Sequence, residues 1–169
     1  MIQLYAGDGK GKTTASIGLA VRAAGHGFKV LFMQFLKYDL HGEIEILRNL
    51  PGVEIVQPAV NYGFTWQMTQ DQKEETAQEY DRMLEQAICS DAFLIVLDEV
   101  VHALNFGLVD VNRLKGVLLK GMYMNKCEIV LTGRNPPDWL IERVDYYSEI
   151  CKVKHPYDYG KAARIGVEY

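Results

Sequence analysis

Residues 2–24 contain the feature that most restricts the fold, a glycine-rich loop between an apolar segment and a helical one. The run Ile2 to Ala6 predicts a strand, the loop GDGKGKT follows at 7–13, and residues 13–24 predict a helix that ends at the Gly25-His26-Gly27 stretch. A strand that turns through glycines into a helix aims backbone N–H groups, the helix N-terminus and a lysine at one point. Such a point suits a polyphosphate.

The loop departs from the usual phosphate-binding pattern G-x-x-x-x-G-K-[ST] at one position. Gly11, Lys12 and Thr13 supply its second half, but Ala6 stands where the first glycine is expected. Glycines then alternate with charged residues in a register offset by one, which keeps the backbone freedom needed to surround phosphate. A purely structural glycine turn is the alternative. The predicted phosphate-binding residues are Gly7, Asp8, Gly9, Lys10, Gly11, Lys12, Thr13 and Thr14.

The rest of the chain alternates between apolar and helical segments. Strands are predicted at 29–35, 53–56, 93–97, 128–132 and 148–153, and helices at 43–49, 69–87, 110–122 and 137–144. Thr69 and Gln72 form a predicted capping box for the longest helix. The alternation favours an α/β fold with a doubly wound, mostly parallel sheet, the three-layer arrangement of P-loop nucleoside triphosphatases. The length of 169 residues predicts a single domain over 1–169.

Composition narrows the class of protein further. The net charge is -4 and the lysines are scattered, which argues against nucleic-acid binding. No segment approaches the roughly 20 apolar residues of a membrane span. The three cysteines show no CxxC spacing, and no charged-then-apolar leader follows Met1. We therefore expect a cytoplasmic protein that binds neither nucleic acid nor a membrane.

Two adjacent carboxylates follow the most apolar strand. Asp98 and Glu99 come directly after FLIVL at 93–97. Together with the Thr13 hydroxyl, they fit a magnesium ion that is held directly or through water beside the phosphates. The alternative is that the two carboxylates only cap a helix.

A glycine-containing loop carries aromatic residues that no core periodicity requires. Tyr62, Phe64 and Trp66 lie in QPAVNYGFTWQ at 57–67. Loops at strand ends commonly build binding sites. Anchoring of the loop in the core is the alternative role of these aromatics.

The sequence resembles the ATP:corrinoid adenosyltransferases of the P-loop type, in ordered blocks that span essentially the whole chain. In that family the position of Ala6 is commonly not glycine. The blocks are GDGKGKTT at 7–14, QFLK at 34–37 with GE at 42–43, GFTW at 63–66 with TQ at 69–70, LDE at 97–99, TGRN at 132–135, and VKHPYDYGKAARIGVEY from 153.

The resemblance implies transfer of the 5'-deoxyadenosyl group from ATP to the Co(I) of a corrinoid such as cobalamin, with release of triphosphate. It implies ATP and corrinoid as substrates, Mg²⁺ as cofactor, and Lys12, Thr13 and Glu99 as catalytic residues. The triphosphate would lie end-for-end relative to ordinary P-loop enzymes, so that C5' faces the open cleft. The family also suggests a homodimer, with a flavoprotein reductant as a further candidate partner.

The same resemblance assigns two further groups of residues. Phe64 and Trp66 would lie under the corrin and keep the cobalt free of an axial ligand. Arg134, in TGRN, is a candidate phosphate contact, with a surface ion pair as its alternative. Many members close over the corrinoid with an N-terminal segment, whereas Met1 stands about six residues before the loop, so a lid from elsewhere is expected. Lys161 stands one position earlier than the family's lysine.

The expected reaction needs no general base, because a Co(I) nucleophile has no proton to lose. The sequence shows no Ser-His-Asp set, no HExxH and no histidine with an evident carboxylate partner. His41, His102 and His155 lack metal-ligand spacing, and we interpret them as structural or adjacent to substrate. A P-loop kinase or ATPase and a non-catalytic, nucleotide-dependent corrinoid carrier remain the alternative functions.

Overall fold

The computed structural model describes residues 1–38, 42–123 and 127–167. Within these ranges six strands form one sheet in the order β3-β2-β4-β5-β1-β6, and every neighbouring pair is parallel. The strands are β1 (Ile2–Ala6), β2 (Val30–Gln34), β3 (Val53–Val56), β4 (Leu94–Asp98), β5 (Glu128–Gly133) and β6 (Tyr146–Glu149). The predicted parallel α/β sheet is confirmed.

Helices cover both faces of this sheet and make three layers. The helices are α1 (Lys12–Gly25), α2 (Gly42–Arg48), α3 (Gln70–Cys89), α4 (Val100–Asn105), α5 (Val111–Tyr123) and α6 (Asp138–Ile141). Helices α1 and α2 bury apolar side chains against one face, whereas α3, α4, α5 and α6 pack on the other. Short 3₁₀ turns occur at Thr65–Gln67 and Pro156–Tyr159. The predicted capping box of α3 is confirmed, with both Thr69–Gln72 hydrogen bonds present.

The structure differs from the prediction in one strand and in one helix. The last strand lies at Tyr146–Glu149 instead of 148–153, because this strand at the sheet edge is exposed along its length and has no apolar pattern. Helix α4 was missed, because its six residues are too few to show a helical period.

Because the strands are parallel, the carboxyl ends of β1, β2, β4 and β5 lie on the same side of the sheet. Gln34 pairs with Asp98 at the ends of β2 and β4, and Ala6 pairs with Gly133 at the ends of β1 and β5. Loops that follow these ends therefore share one region, as is usual for ligand sites in α/β sheets.

His41 and the last two residues of the quoted C-terminal segment lie outside the described residues. Among the helices that the structure does describe, none combines the length and apolarity needed to cross a membrane.

Candidate active site

The structure explains why alanine replaces glycine at the start of the loop. Ala6 is the buried last residue of β1, and the backbone turns one residue later, at Gly7, where φ is 114°. A Cβ on Gly7 would lie 2.6 Å from the Ile150 carbonyl oxygen, and one on Gly9 would lie 2.7 Å from that of Cys151. The Gly9 N–H also donates to the Ile150 carbonyl oxygen at 2.7 Å. The glycines are therefore needed where the segment after β6 packs on the loop.

Lys12 holds the loop in a closed turn. Its side chain is buried, and Nζ donates to the carbonyl oxygens of Gly7 at 2.7 Å and Gly9 at 2.8 Å. Burial, followed by the nearby positive charge of Arg134, lowers the pKa of the Lys12 ammonium. The cation thus lies inside the glycine loop.

Asp98 is the centre of a polar network at the end of β4. Its side chain is 0% exposed. Oδ1 accepts hydrogen bonds from the Thr132 hydroxyl at 2.7 Å and the Thr13 hydroxyl at 3.0 Å. Oδ2 accepts from the Lys37 ammonium at 2.7 Å and the Gln34 amide at 3.3 Å. The structure therefore brings Thr13 and Asp98 together, as the sequence predicted.

Sequence reasoning missed Gln34, Lys37 and Thr132 as members of this network. All three lie in blocks that carry the family resemblance, QFLK and TGRN. Their position at or just after the ends of β2 and β5 is the signal that could have identified them.

Glu99 has a left-handed backbone conformation, with φ at 63°, immediately before α4. Its N–H donates to the Thr132 hydroxyl at 2.8 Å, and its Oε2 lies 2.5 Å from Nδ1 of His102. Burial raises the pKa of Glu99, but the hydrogen bond to His102 and the charge of Lys37 outweigh it and leave that pKa below its ordinary value. The expectation that no histidine has a carboxylate partner was wrong, because α4 was missed and α4 carries His102.

A cavity of about 640 Å³ is lined by the glycine loop and by Glu99, the residue that follows β4. Arg134 lies on its wall, with Nε 3.7 Å from Oδ1 of Asp8, so this arginine forms an ion pair that also faces the cavity. The predicted site residues on its wall are Asp8, Gly9, Lys10, Gly11, Lys12, Thr13, Thr14, Glu99 and Arg134.

Phe64 and Trp66 do not line that cavity. Their rings stack on each other with centroids 4.4 Å apart and an interplanar angle of 11°. The two residues are 61% and 73% exposed, which excludes the alternative that they anchor the loop in the core.

The fold is a parallel α/β sheet, with a glycine loop between β1 and α1 and a buried aspartate at the end of β4. These features define a P-loop nucleotide-binding protein. The family model of ATP:corrinoid adenosyltransferase BtuR/CobO/CobP matches residues 1–169. The chain belongs to this family.

Curated relatives agree with the family match along the whole chain. A corrinoid adenosyltransferase of Pseudomonas aeruginosa is 33% identical over 100% of this chain and 83% of its own length. One of Escherichia coli K12 is 35% identical over 100% of this chain and 85% of its own. The corrinoid adenosyltransferase CobA of Salmonella typhimurium is 33% identical, with the same shares of 100% and 85%.

Proposed function

We propose that this chain transfers the 5'-deoxyadenosyl group of ATP to the Co(I) centre of a corrinoid such as cobalamin and releases triphosphate. The observation that carries this proposal is a cavity lined by the glycine loop, its buried Lys12, Thr13 and Glu99, with Thr13 hydrogen-bonded to the buried Asp98. Such a cavity is built to hold a polyphosphate and a hard cation side by side.

The bond changes of this reaction fit the groups on the cavity wall. The filled axial orbital of Co(I) attacks C5' of the ribose, a cobalt–carbon bond forms, and the C5'–oxygen bond breaks with its electron pair leaving on the triphosphate. No proton is removed from the nucleophile. His102 holds the Glu99 carboxylate and is therefore assigned a positioning role and not that of a base.

The leaving triphosphate is the group on which negative charge develops. The loop N–H groups, Lys12 and Arg134 would hold it, since fixed donors aimed at developing charge are an effective catalytic device. The Lys12 ammonium already lies inside this loop, where it bridges the carbonyl oxygens of Gly7 and Gly9.

The donor set beside the loop fits Mg²⁺. Thr13, Asp98 and Glu99 offer hard oxygen atoms, and the Thr13 hydroxyl lies 3.0 Å from Asp98 Oδ1. Among residues 1–38, 42–123 and 127–167, no group of three His, Cys, Asp or Glu side chains could hold a metal. Mg²⁺ commonly keeps water and phosphate ligands beside one or two carboxylates. When bound, the ion would neutralise charge on the leaving triphosphate.

Phe64 and Trp66 are proposed to form an apolar surface under the corrin. Their stacked, exposed rings present a flat hydrophobic patch outside the nucleotide cavity. An apolar surface at the cobalt face away from ATP would exclude water as an axial ligand, which favours reduction to Co(I).

Replacing Phe64 or Trp66 with alanine is expected to reduce activity more when the enzyme must assist Co(II) reduction than when Co(I) is supplied chemically. Because both side chains are exposed, the free energy of unfolding should change by less than about 0.5 kcal/mol. Cobalt–carbon product formation in the two assays, with denaturant titrations, measures this. Equal losses in both assays would remove the axial role.

The product of the phosphate chemistry tests the proposed reaction directly. With ATP and chemically reduced cobalamin, phosphorus NMR should show intact triphosphate and absorbance should show a cobalt–carbon product. ADP and phosphate instead would point to a kinase or ATPase. A non-catalytic carrier would show spectral binding of the corrinoid without that product.

The cellular setting of the proposal follows the family. We propose a cytoplasmic homodimer that receives electrons from a flavoprotein. The cysteines Cys89, Cys127 and Cys151 are all free, which suits a reducing compartment.

A further inference from the structure

Lys37 contacts two of the residues proposed above as ligands of a divalent cation. Its Nζ lies 2.7 Å from Asp98 Oδ2 and 2.9 Å from Thr13 Oγ1. These are the two residues whose oxygens face each other at the end of the phosphate loop. A single ammonium thus bridges both groups proposed above as metal ligands.

The backbone before Lys37 is built to place this ammonium. Leu36 has φ at 58°, a left-handed conformation that is costly for a leucine. Its N–H donates to the hydroxyl of the buried Tyr80 at 2.9 Å, and the preceding Phe35 N–H donates to the Asp98 carbonyl oxygen at 2.8 Å. Strain that the surroundings maintain in this way is typical of functional positions.

Charge balance explains why a cation is needed there. A fully buried carboxylate such as Asp98 is costly unless it is paired. The other donors to Asp98 are neutral, and the Lys12 ammonium is bonded to loop carbonyl oxygens instead. Lys37 therefore supplies the positive charge that Asp98 requires while no metal is bound.

We propose that Lys37 is an internal counter-ion of the metal site, which a divalent cation displaces and which then binds the triphosphate. A divalent ion and the ammonium cannot share the space between Thr13 and Asp98, because like charges at that distance repel. Lys37 is 22% exposed and lines the same cavity as the loop, so the freed ammonium can turn toward the phosphates. Metal and polyphosphate binding are consequently coupled, so that each ligand strengthens the binding of the other.

The inference rests on the metal site of the proposed function and is tested without corrinoid or turnover. Mn²⁺, a hard cation that takes the same oxygen ligands, is titrated into nucleotide-free protein and followed by electron paramagnetic resonance. Lys37→Met should bind Mn²⁺ about tenfold more tightly than the wild type, because the competing charge is gone. With Mg²⁺ present, calorimetry should show about tenfold weaker binding of inorganic tripolyphosphate to this variant.

Two variants separate this role from a merely structural ion pair. Lys37→Arg keeps the charge and should keep nucleotide-free Mn²⁺ affinity within about threefold of the wild type. Lys29→Met removes another lysine that pairs with an aspartate, Asp91, on the surface, and should change neither affinity. A structural role alone would weaken both Mn²⁺ and tripolyphosphate binding in Lys37→Met.

Each outcome decides the proposal. Suppose that the wild type binds Mn²⁺ in the presence of tripolyphosphate, but Lys37→Met binds Mn²⁺ no more tightly than the wild type. This result overturns the inference about Lys37 and leaves the metal site standing. Absence of Mn²⁺ binding in every sample, with or without tripolyphosphate, overturns the metal site as well. Should Lys37→Met not fold, Tyr80→Phe carries the test, because it releases the turn at Leu36 and should tighten nucleotide-free Mn²⁺ binding about threefold. An unchanged affinity in Tyr80→Phe then overturns the inference.

Discussion

Replacing Lys12 with alanine is expected to slow adenosyl transfer by about 10²-fold or more. The ammonium is buried at the centre of the phosphate loop, 2.7 Å from the carbonyl oxygen of Gly7 and 2.8 Å from that of Gly9. Its loss removes a fixed positive charge from the place where the triphosphate would leave, and it also frees the two carbonyl oxygens that it holds. The single-turnover rate of cobalt–carbon product formation, with saturating ATP and chemically supplied Co(I), measures the effect.

The control for this substitution is Lys29→Ala. Lys29 is exposed and pairs with Asp91, so its removal changes the net charge by the same amount away from the loop. It should leave the rate within about twofold of the wild type, as expected for a surface pair. A Lys12→Ala rate within tenfold of the wild type would show that the loop does not hold the leaving group.

Asp98→Asn is expected to reduce both stability and turnover. The substitution keeps the shape of the side chain but removes the charge that pairs with Lys37 at 2.7 Å. It also replaces one carboxylate oxygen, which accepts hydrogen bonds, by an amide group that donates them. Four side-chain donors point at the two Asp98 oxygens, so two of them would then face another donor. We expect the free energy of unfolding to fall by about 2 kcal/mol, less than for a fully buried pair because Lys37 can reach water. Turnover should fall by about 10²- to 10³-fold.

Asp91→Asn is the matched control for Asp98→Asn. Asp91 is exposed and pairs with Lys29, and the same change there should cost less than about 0.5 kcal/mol. Urea denaturation measures stability, and the single-turnover assay measures rate. If Asp98→Asn were as stable and as active as Asp91→Asn, the network around Asp98 would have no role in folding or chemistry.

Most of the fold could be predicted because its signals are local. An apolar run followed by glycines and a helical segment predicts strand, loop and helix within the first 24 residues. The capping box of Thr69 and Gln72 marks the start of α3 within a stretch of four residues. Prediction failed where the local signal was weak. Helix α4 has only six residues, and β6 is exposed on both faces at the edge of the sheet.

The candidate site was predictable in part for the same reason. Lys12 and Thr13 could be identified from the loop pattern, and Asp98 from its position after an apolar strand. The contacts of Lys37 with Asp98 and of His102 with Glu99 could not be predicted, because each depends on a carboxylate that the fold brings close. The reason why glycine is needed at Gly7 and Gly9, and not at Ala6, likewise depends on a chain segment more than 140 residues away.

The sequence by itself determined most of the strands and helices, the glycine loop and the family, since each depends on residues that are close together in the chain. The tertiary structure alone decided which side chains surround Asp98. Gln34, Lys37 and Thr132 stand between 34 and 64 residues from it along the chain. They meet because parallel pairing aligns the carboxyl ends of β2, β4 and β5, and a buried carboxylate is stable only where such pairing delivers its donors and its counter-ion.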